Sequence, residues 1–220
     1  MDYGSYNFCL TCILIIIIIL MVFRHKIDTF LNKVQECNMI DDRCYHVVEK
    51  FNKNEEAGEH LARLNLFNLR LMKYLRTKYV YEDIPLKWES YDPSYYRDLT
   101  LRLLSNYNPS ALTENAPATS ENTSYVEDKG KVFAVCLREK LSGNNLFHND
   151  NLLQFVAMHE MAHLATKSIG HEPEFWINFK ILLKNAKDAG LHEPVDYAKY
   201  PENYCSLNID SNPYFTDWPS

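Results

Sequence analysis

His159-Glu160-Met161-Ala162-His163, followed by His171, is the run in this chain whose residue types and spacing can do chemistry. Imidazoles four residues apart project from the same face of a helix. Zn–N bonds are ~2.0–2.1 Å, so both rings can reach one ion without distorting the helix. A third protein ligand would leave the fourth position of the ion to water. Zinc lowers the pKa of such a water towards ~7, and Glu160, next to His159, can take its proton. That is the chemistry of a hydrolase.

The third ligand must come from beyond the helix. His171 follows Gly170 directly, and a left-handed glycine can turn the chain back towards the metal. Glu172, Glu174, Asp188 and His192 are the alternatives to His171. A pair of surface histidines on an ordinary helix is the bland reading of the motif. Against it, the helix is apolar and reads as buried, and a buried Glu between two buried His has no cheap explanation without a metal.

The positioning elements follow from the pattern. A helix begins near Asn149 to Asn151, any of which can cap it, and runs to about Ser168 with Gly170 as its stop. A second helix starts at Pro173 and reaches about Ala189, ahead of Gly190. Lys131 to Leu137 is short, apolar and β-branched, hence a strand, preceded by a turn at Asp128-Lys129-Gly130. Residues 105 to 124 read as a polar loop. Glu55 to Tyr79 is a long helix with Leu64, Phe67, Leu71 and Tyr74/Leu75 on its core face, and a short helix lies near Arg97 to Leu104. Residues 27 to 52 read as helical, which puts Cys37 and Cys44 on one helical face.

The metal motif with Gly170-His171-Glu172-Pro173-Glu174-Phe175-Trp176 resembles the minimal zincin peptidases of the SprT and WLM type. In those, HExxH is followed by a third His just before a second helix. The strand segment Lys129 to Arg138 and Glu202-Asn203-Tyr204-Cys205 look similar to membrane-anchored WLM-like proteins of large DNA viruses. The resemblance covers about residues 123 to 210. It implies zinc at His159, His163 and His171, Glu160 as general base, and the Lys131–Leu137 strand beside the cleft, where a substrate could add as a further strand. Seven residues separate His163 from His171, whereas metzincins have five with a Gly at the third, where this chain has Thr166. Relatives of the SprT and WLM type act on proteins crosslinked to DNA. This chain shows no basic patch or second zinc module, so that substrate class is not carried over. Tyr197, Tyr200 and Tyr204 follow the second helix, and the sequence does not choose among them as a donor to a developing oxyanion.

Phe8 to Phe23 carries no charge. As a helix it would cover about 24 Å, and extension through Tyr6, with Tyr3 and the snorkelling Arg24 and Lys26, would complete a span of the ~30 Å hydrocarbon core. Basic Arg24, Lys26 and Lys33 follow the run and none precedes it, which places the rest of the chain in the cytosol. Cys9 and Cys12 fall in this anchor. Cys37, Cys44, Cys136 and Cys205 are then expected as reduced, mostly buried thiols, and the acceptor sequence Asn122-Thr123-Ser124 as silent.

At 220 residues with 46% hydrophobic content, the chain has room for one compact domain plus an appendage. Its net charge of −6 with no basic cluster argues against nucleic acid as a partner. The expected fold is α+β and mostly helical: an N-terminal transmembrane helix over residues 1–26, a helical region over 27–105, and a zincin-like catalytic core over 106–220. The expected protein is a membrane-anchored zinc metallopeptidase acting on protein or peptide substrates. A catalytically silent, zinc-stabilised membrane scaffold and a non-peptide zinc hydrolase are the alternatives.

Overall fold

The computed structural model describes residues 12–21, 33–82, 91–115, 123–139 and 146–216. Tyr3, Tyr6, Cys9, Arg24, Lys26, Pro85 and Asn122 lie outside the described residues. The architecture is α+β: four helices packed with a mixed five-stranded sheet, and a separate two-stranded hairpin.

The expectation of an N-terminal transmembrane anchor is corrected. Among the described residues no helix is long and apolar enough to cross a membrane. Residues 12–21 are helical and their apolar side chains are exposed, but ten residues rise only about 15 Å, half of a hydrocarbon core. The single-pass membrane location and the cytosolic placement of the remaining chain rested on that anchor and fall with it.

Residues 27–32 of the expected helix over 27 to 52 lie outside the described residues, and from Lys33 on the segment is instead a hairpin, β1 (Lys33–Asn38) and β2 (Arg43–Val48). Its period is two: Tyr45 and Val47 are buried while Cys44 and His46 are exposed, which is strand alternation. Cys37 and Cys44 face each other across the ladder and form a disulfide. Cys136 and Cys205 form a second. Reduced thiols were expected because the chain was read as cytosolic, and disulfides persist where thiols are oxidised.

Helix α1 (Asn54–Arg76) buries Leu61, Leu64, Leu71 and Leu75 along one stripe, and it packs against β1, β2 and the metal-motif helix. Helix α2 (Pro93–Asn106) starts four residues before the expected Arg97, because Asp92 caps it by accepting from the Ser94 N–H at 2.8 Å. Strands β3 (Leu112–Asn115), β4 (Tyr125–Glu127) and β5 (Val132–Cys136) complete the sheet in the order β1-β2-β3-β5-β4. Strands β2, β3 and β5 are parallel, and β1 and β4 run antiparallel at the two edges. A buried ion pair locks β3 to the end of β5. Arg138 donates to Glu114 at 2.7 and 3.0 Å and lies between the Phe51 and Phe147 rings.

The β4–β5 turn is fixed by Gly130 at φ 99°, where a Cβ would lie 2.0 Å from the Asn106 carbonyl oxygen. Only glycine admits that approach. Asn106 in turn donates to the Leu164 carbonyl at 2.8 Å, so the turn sets the edge strand β4 alongside the helix that carries the histidines. That helix is α3 (Asp150–Ala165), followed by α4 (Pro173–Asp188) and the hairpin β6 (Glu202–Tyr204) and β7 (Leu207–Ile209).

Candidate metal centre

Helix α3 is capped by Asn149, whose side chain accepts from the Leu152 N–H at 2.8 Å. It ends at Ala165, three residues short of the expected Ser168, because side chains take over its last carbonyls. Asn106 holds Leu164, Arg102 donates to Ala165 at 2.7 Å, and Lys129 donates to Thr166 at 2.9 Å. Two of these are cations at the negative end of the helix dipole. The chain then turns through residues 167–171. Glu174 receives the Lys167 and Ser168 N–H groups at 3.2 and 3.4 Å and the Arg102 guanidinium at 3.4 Å. Gly170, at φ 81°, reverses the path as expected.

The result brings His159, His163 and His171 together. One ring nitrogen from each lies within 4.8 Å of the others, and the Nε2 atoms of His159 and His171 are 3.1 Å apart. Tetrahedral ligands ~2.05 Å from zinc stand about 3.3 Å from each other, so these residues fit such an ion. Phe175 is fully buried behind them, its ring centroid 4.8, 4.3 and 4.5 Å from those of His159, His163 and His171. Burial pushes His159 down to about 3 and His163 down to about 4, assisted by the neighbouring imidazoles, and lowers His171 too. All three rings are therefore neutral at pH 7, the form a metal ligand needs.

Glu160 is buried, with 3% of its surface exposed. Burial raises its carboxyl to about 8, against an opposing hydrogen bond from the Val126 backbone N–H. Val126 sits in β4, whose far edge no strand covers among the described residues. The strand beside the site is therefore β4, and the Lys131–Leu137 segment, expected there, forms β5 one position further in.

These groups line a cleft of about 820 Å³, a size that accommodates a ligand or a stretch of peptide. Its walls are β4, α3, the 168–171 turn, the start of α4 and the β6–β7 hairpin. Of the alternative ligands, Glu172 occupies the N-cap position of α4 without a side-chain capping hydrogen bond, Glu174 holds the turn, Asp188 lies at the far end of α4, and His192 contacts Gln154 at 3.2 Å. None joins the cluster. Of the three tyrosines, Tyr197 is buried against Phe155 and Tyr200 is exposed. Tyr204 lines the cleft, with its hydroxyl donating to the Cys136 carbonyl at 2.7 Å and 2.6 Å from Ser124 Oγ.

Sequence reasoning missed three participants. Strand β4 is only three residues long, and its signal is the Asp128-Lys129-Gly130 turn leading into β5. The β6–β7 turn uses Cys205 and Ser206 at φ 48° and 75°, without the Asn-Gly or Asp-Gly pair that marks such hairpins. Glu174 was weighed as a ligand rather than as the anchor of the ligand turn.

Fold and site together define an α+β domain with an HExxH helix and a three-histidine cluster in a cleft beside a sheet edge. The chain belongs to the family of the uncharacterised protein R325 of Acanthamoeba polyphaga mimivirus. The two are 33% identical over 167 residues, which is 76% of this chain and 78% of the relative. Uncharacterised protein 136R of Invertebrate iridescent virus 6 is 34% identical over 82 residues, 37% of this chain and 44% of that protein. Uncharacterised protein 042R of Invertebrate iridescent virus 3 is 31% identical over 104 residues, 47% of this chain and 62% of that protein. No protein-family profile matches the chain, and no solved structure matches it.

Proposed function

We propose that this chain is a zinc-dependent metallopeptidase that hydrolyses protein or peptide substrates. The observation that carries the reading is the pairing of three neutral imidazoles with an adjacent buried acid that has no cation of its own. Glu160 has one backbone N–H and no salt bridge among the described residues, whereas the other deeply buried acid, Glu114, is matched by Arg138. A buried carboxyl without a counter-charge is costly, and a divalent ion at the histidines removes that cost.

Zinc bound there would supply Lewis acidity and an acidified water. His159, His163 and His171 would hold it, and the described residues add no fourth ligand to close the site. Glu160 takes a proton from the attacking water and returns it to the departing amine, a task suited to a carboxyl with raised proton affinity. Strand β4, uncovered among the described residues, offers an extended chain its edge apart from the Val126 N–H that Glu160 holds. A silent zinc-stabilised scaffold would need neither an open ligand position nor Glu160.

The test is metal analysis of the full chain together with proteolysis of an unfolded protein substrate by wild type and Glu160→Gln. One zinc per chain in both, zinc loss in His171→Ala, and a rate at least ~100-fold lower in Glu160→Gln are expected. Equal rates for wild type and Glu160→Gln would refute the mechanism. A wild type without zinc would refute the ligand assignment.

A further inference from the structure

Whether a disulfide is exchanged depends on access to its sulfurs and on what the fold loses when the bond opens. The two bridges of this chain differ in both. Cys136 and Cys205 are buried, and their bridge ties the β6–β7 hairpin to β5. Cys37 and Cys44 are exposed. They stand opposite each other in the β1–β2 ladder. Glu36, Tyr45 and Val47 occupy the face that α1 covers, and strand alternation turns Cys37 and Cys44 to the other face. The turn beyond them projects into solvent, with Met39 94% exposed.

The β1–β2 hairpin is held without its bridge. At the turn, Asp41 accepts from the Asn65 side chain of α1 at 2.8 Å and from the Tyr45 hydroxyl. At the open end, the Val48 N–H donates to Glu114 at 2.8 Å and the Lys33 ammonium to Thr113 at 2.9 Å. Between these anchors the strands pair over six positions. Opening the S–S bond leaves every one of these contacts in place, so the dithiol form keeps the fold. The metal cleft is not involved either. Strands β1 and β4 are opposite edges of the sheet, and no residue of β1 or β2 lines the cleft.

We propose that Cys37–Cys44 is a thiol–disulfide exchange site for an external dithiol, separate from the metal centre and independent of what that centre does. A thiolate of the dithiol attacks one sulfur, forming a mixed disulfide, and the other sulfur leaves as a thiolate and takes up a proton. The second thiol of the reagent then displaces the protein sulfur. Cys37 and Cys44 end as thiols and the reagent as a disulfide, so two electrons and two protons pass to the protein. Cys136–Cys205 remains closed and keeps the cleft wall in place.

The test mixes oxidised full-length protein with a reduced thioredoxin or with dithiothreitol at equal dithiol concentration. Samples are quenched by alkylation and mapped by mass spectrometry. Cys37 and Cys44 should open roughly 10- to 1,000-fold faster than Cys136 and Cys205, because attack on the buried bridge waits for an open state populated at about 0.1–10%. Protein with only the first bridge open should keep the circular dichroism spectrum of the oxidised form, and glutathione disulfide should close that bridge again. Cys37→Ser/Cys44→Ser should lose the fast phase of thioredoxin oxidation, and the site-resolved rates decide on wild type alone should this variant misfold. A faster first phase with thioredoxin assigns the site to a protein dithiol, and the reverse order assigns it to a small one. Equal rates at the two bridges, earlier opening of Cys136–Cys205, loss of the spectrum when Cys37–Cys44 opens, or a fast phase that survives in the folded double variant overturns the proposal.

Discussion

Replacing both Cys136 and Cys205 by Ala should be far more damaging than replacing Cys37 and Cys44. The two bridges close loops of very different size, with sequence separations of 69 and 7. If loop entropy in the unfolded chain dominates, the long loop is worth about 4.4 kcal/mol at 25 °C and the short one about 2.4 kcal/mol. Packing widens the gap, because Cys136 and Cys205 are buried while Cys44 is exposed. For a chain of this size each kcal/mol moves Tm by about 2–4 °C, so the long-loop variant should melt roughly 4–8 °C below the short-loop variant. Equilibrium urea unfolding of both variants measures the difference directly. Function should follow location as well. The Cys136–Cys205 bridge fastens the cleft-lining hairpin to β5, assisted by Tyr204 on the Cys136 carbonyl and by Glu139, which accepts the Cys205 N–H at 2.8 Å. Its loss, or reduction by a dithiol, should weaken peptide binding, and loss of the Cys37–Cys44 bridge should not. If the short-loop variant is the less stable of the two, the loop-entropy argument is wrong. If peptide affinity is unchanged without the long bridge, the hydrogen bonds alone hold the hairpin.

Glu160 predicts a pH dependence for the metal-free protein. Its carboxyl is raised to about 8 in the fold, from ~4.3 in an unfolded chain, so its contribution is fully present below about pH 4.3 and is lost as pH rises to 8. Urea midpoints of EDTA-treated protein should fall across that window, and Glu160→Gln should flatten the fall. His192 acts in the opposite sense. Burial lowers it to about 4, so its contribution is present above pH 6.5 and is lost as pH drops towards 4, a loss that His192→Leu should reduce in acid titrations followed by circular dichroism. Glu174→Ala should leave the fold intact but weaken zinc binding about 10- to 100-fold in chelator competition, the range for losing a group that orients a ligand. Gly130→Ala should destabilise by more than about 2 kcal/mol in urea melts, because it combines a left-handed backbone with a collision at Asn106.

The sequence was legible where one local rule governs. Gly170 at positive φ, Pro173 at a helix start, Asn149 as a cap and the one-turn spacing of His159 and His163 are each decided within a few residues. The first hairpin was not legible. The run from Lys33 to Val48 alternates with period two, but four turn residues interrupt the pattern, and Asp42 takes φ 54° where glycine would have signalled the turn. The Cys37–Cys44 bridge was hidden with it, since those residues are cross-strand partners only if the segment is a hairpin, and Cys136–Cys205 was hidden by the cytosolic reading. Residues 12–21 are apolar enough to suggest a membrane, yet among the described residues no helix is long and apolar enough to cross one. Short β4 was hidden because its stability comes from β5 and from contacts of its turn with α2 and α3, all distant in sequence.

Two buried glutamates show how this chain separates structure from chemistry. Glu114 is fully buried, and every requirement of its charge is met: two guanidinium hydrogen bonds from Arg138 and the Val48 N–H at 2.8 Å. Such a pair tolerates no loss of either partner, and it lies on strands away from the cleft. Glu160 is nearly as buried, yet the fold offers it a single N–H, and the histidines next to it on the helix are kept neutral by burial. Stability alone would favour Gln at 160, which avoids an unmatched charge. The same position becomes useful once a cation sits at the three histidines, because the carboxyl is then both stabilised and within reach of water. A more stable metal-free Glu160→Gln protein that binds zinc but cuts nothing would be the signature of a residue retained for reaction rather than for the fold.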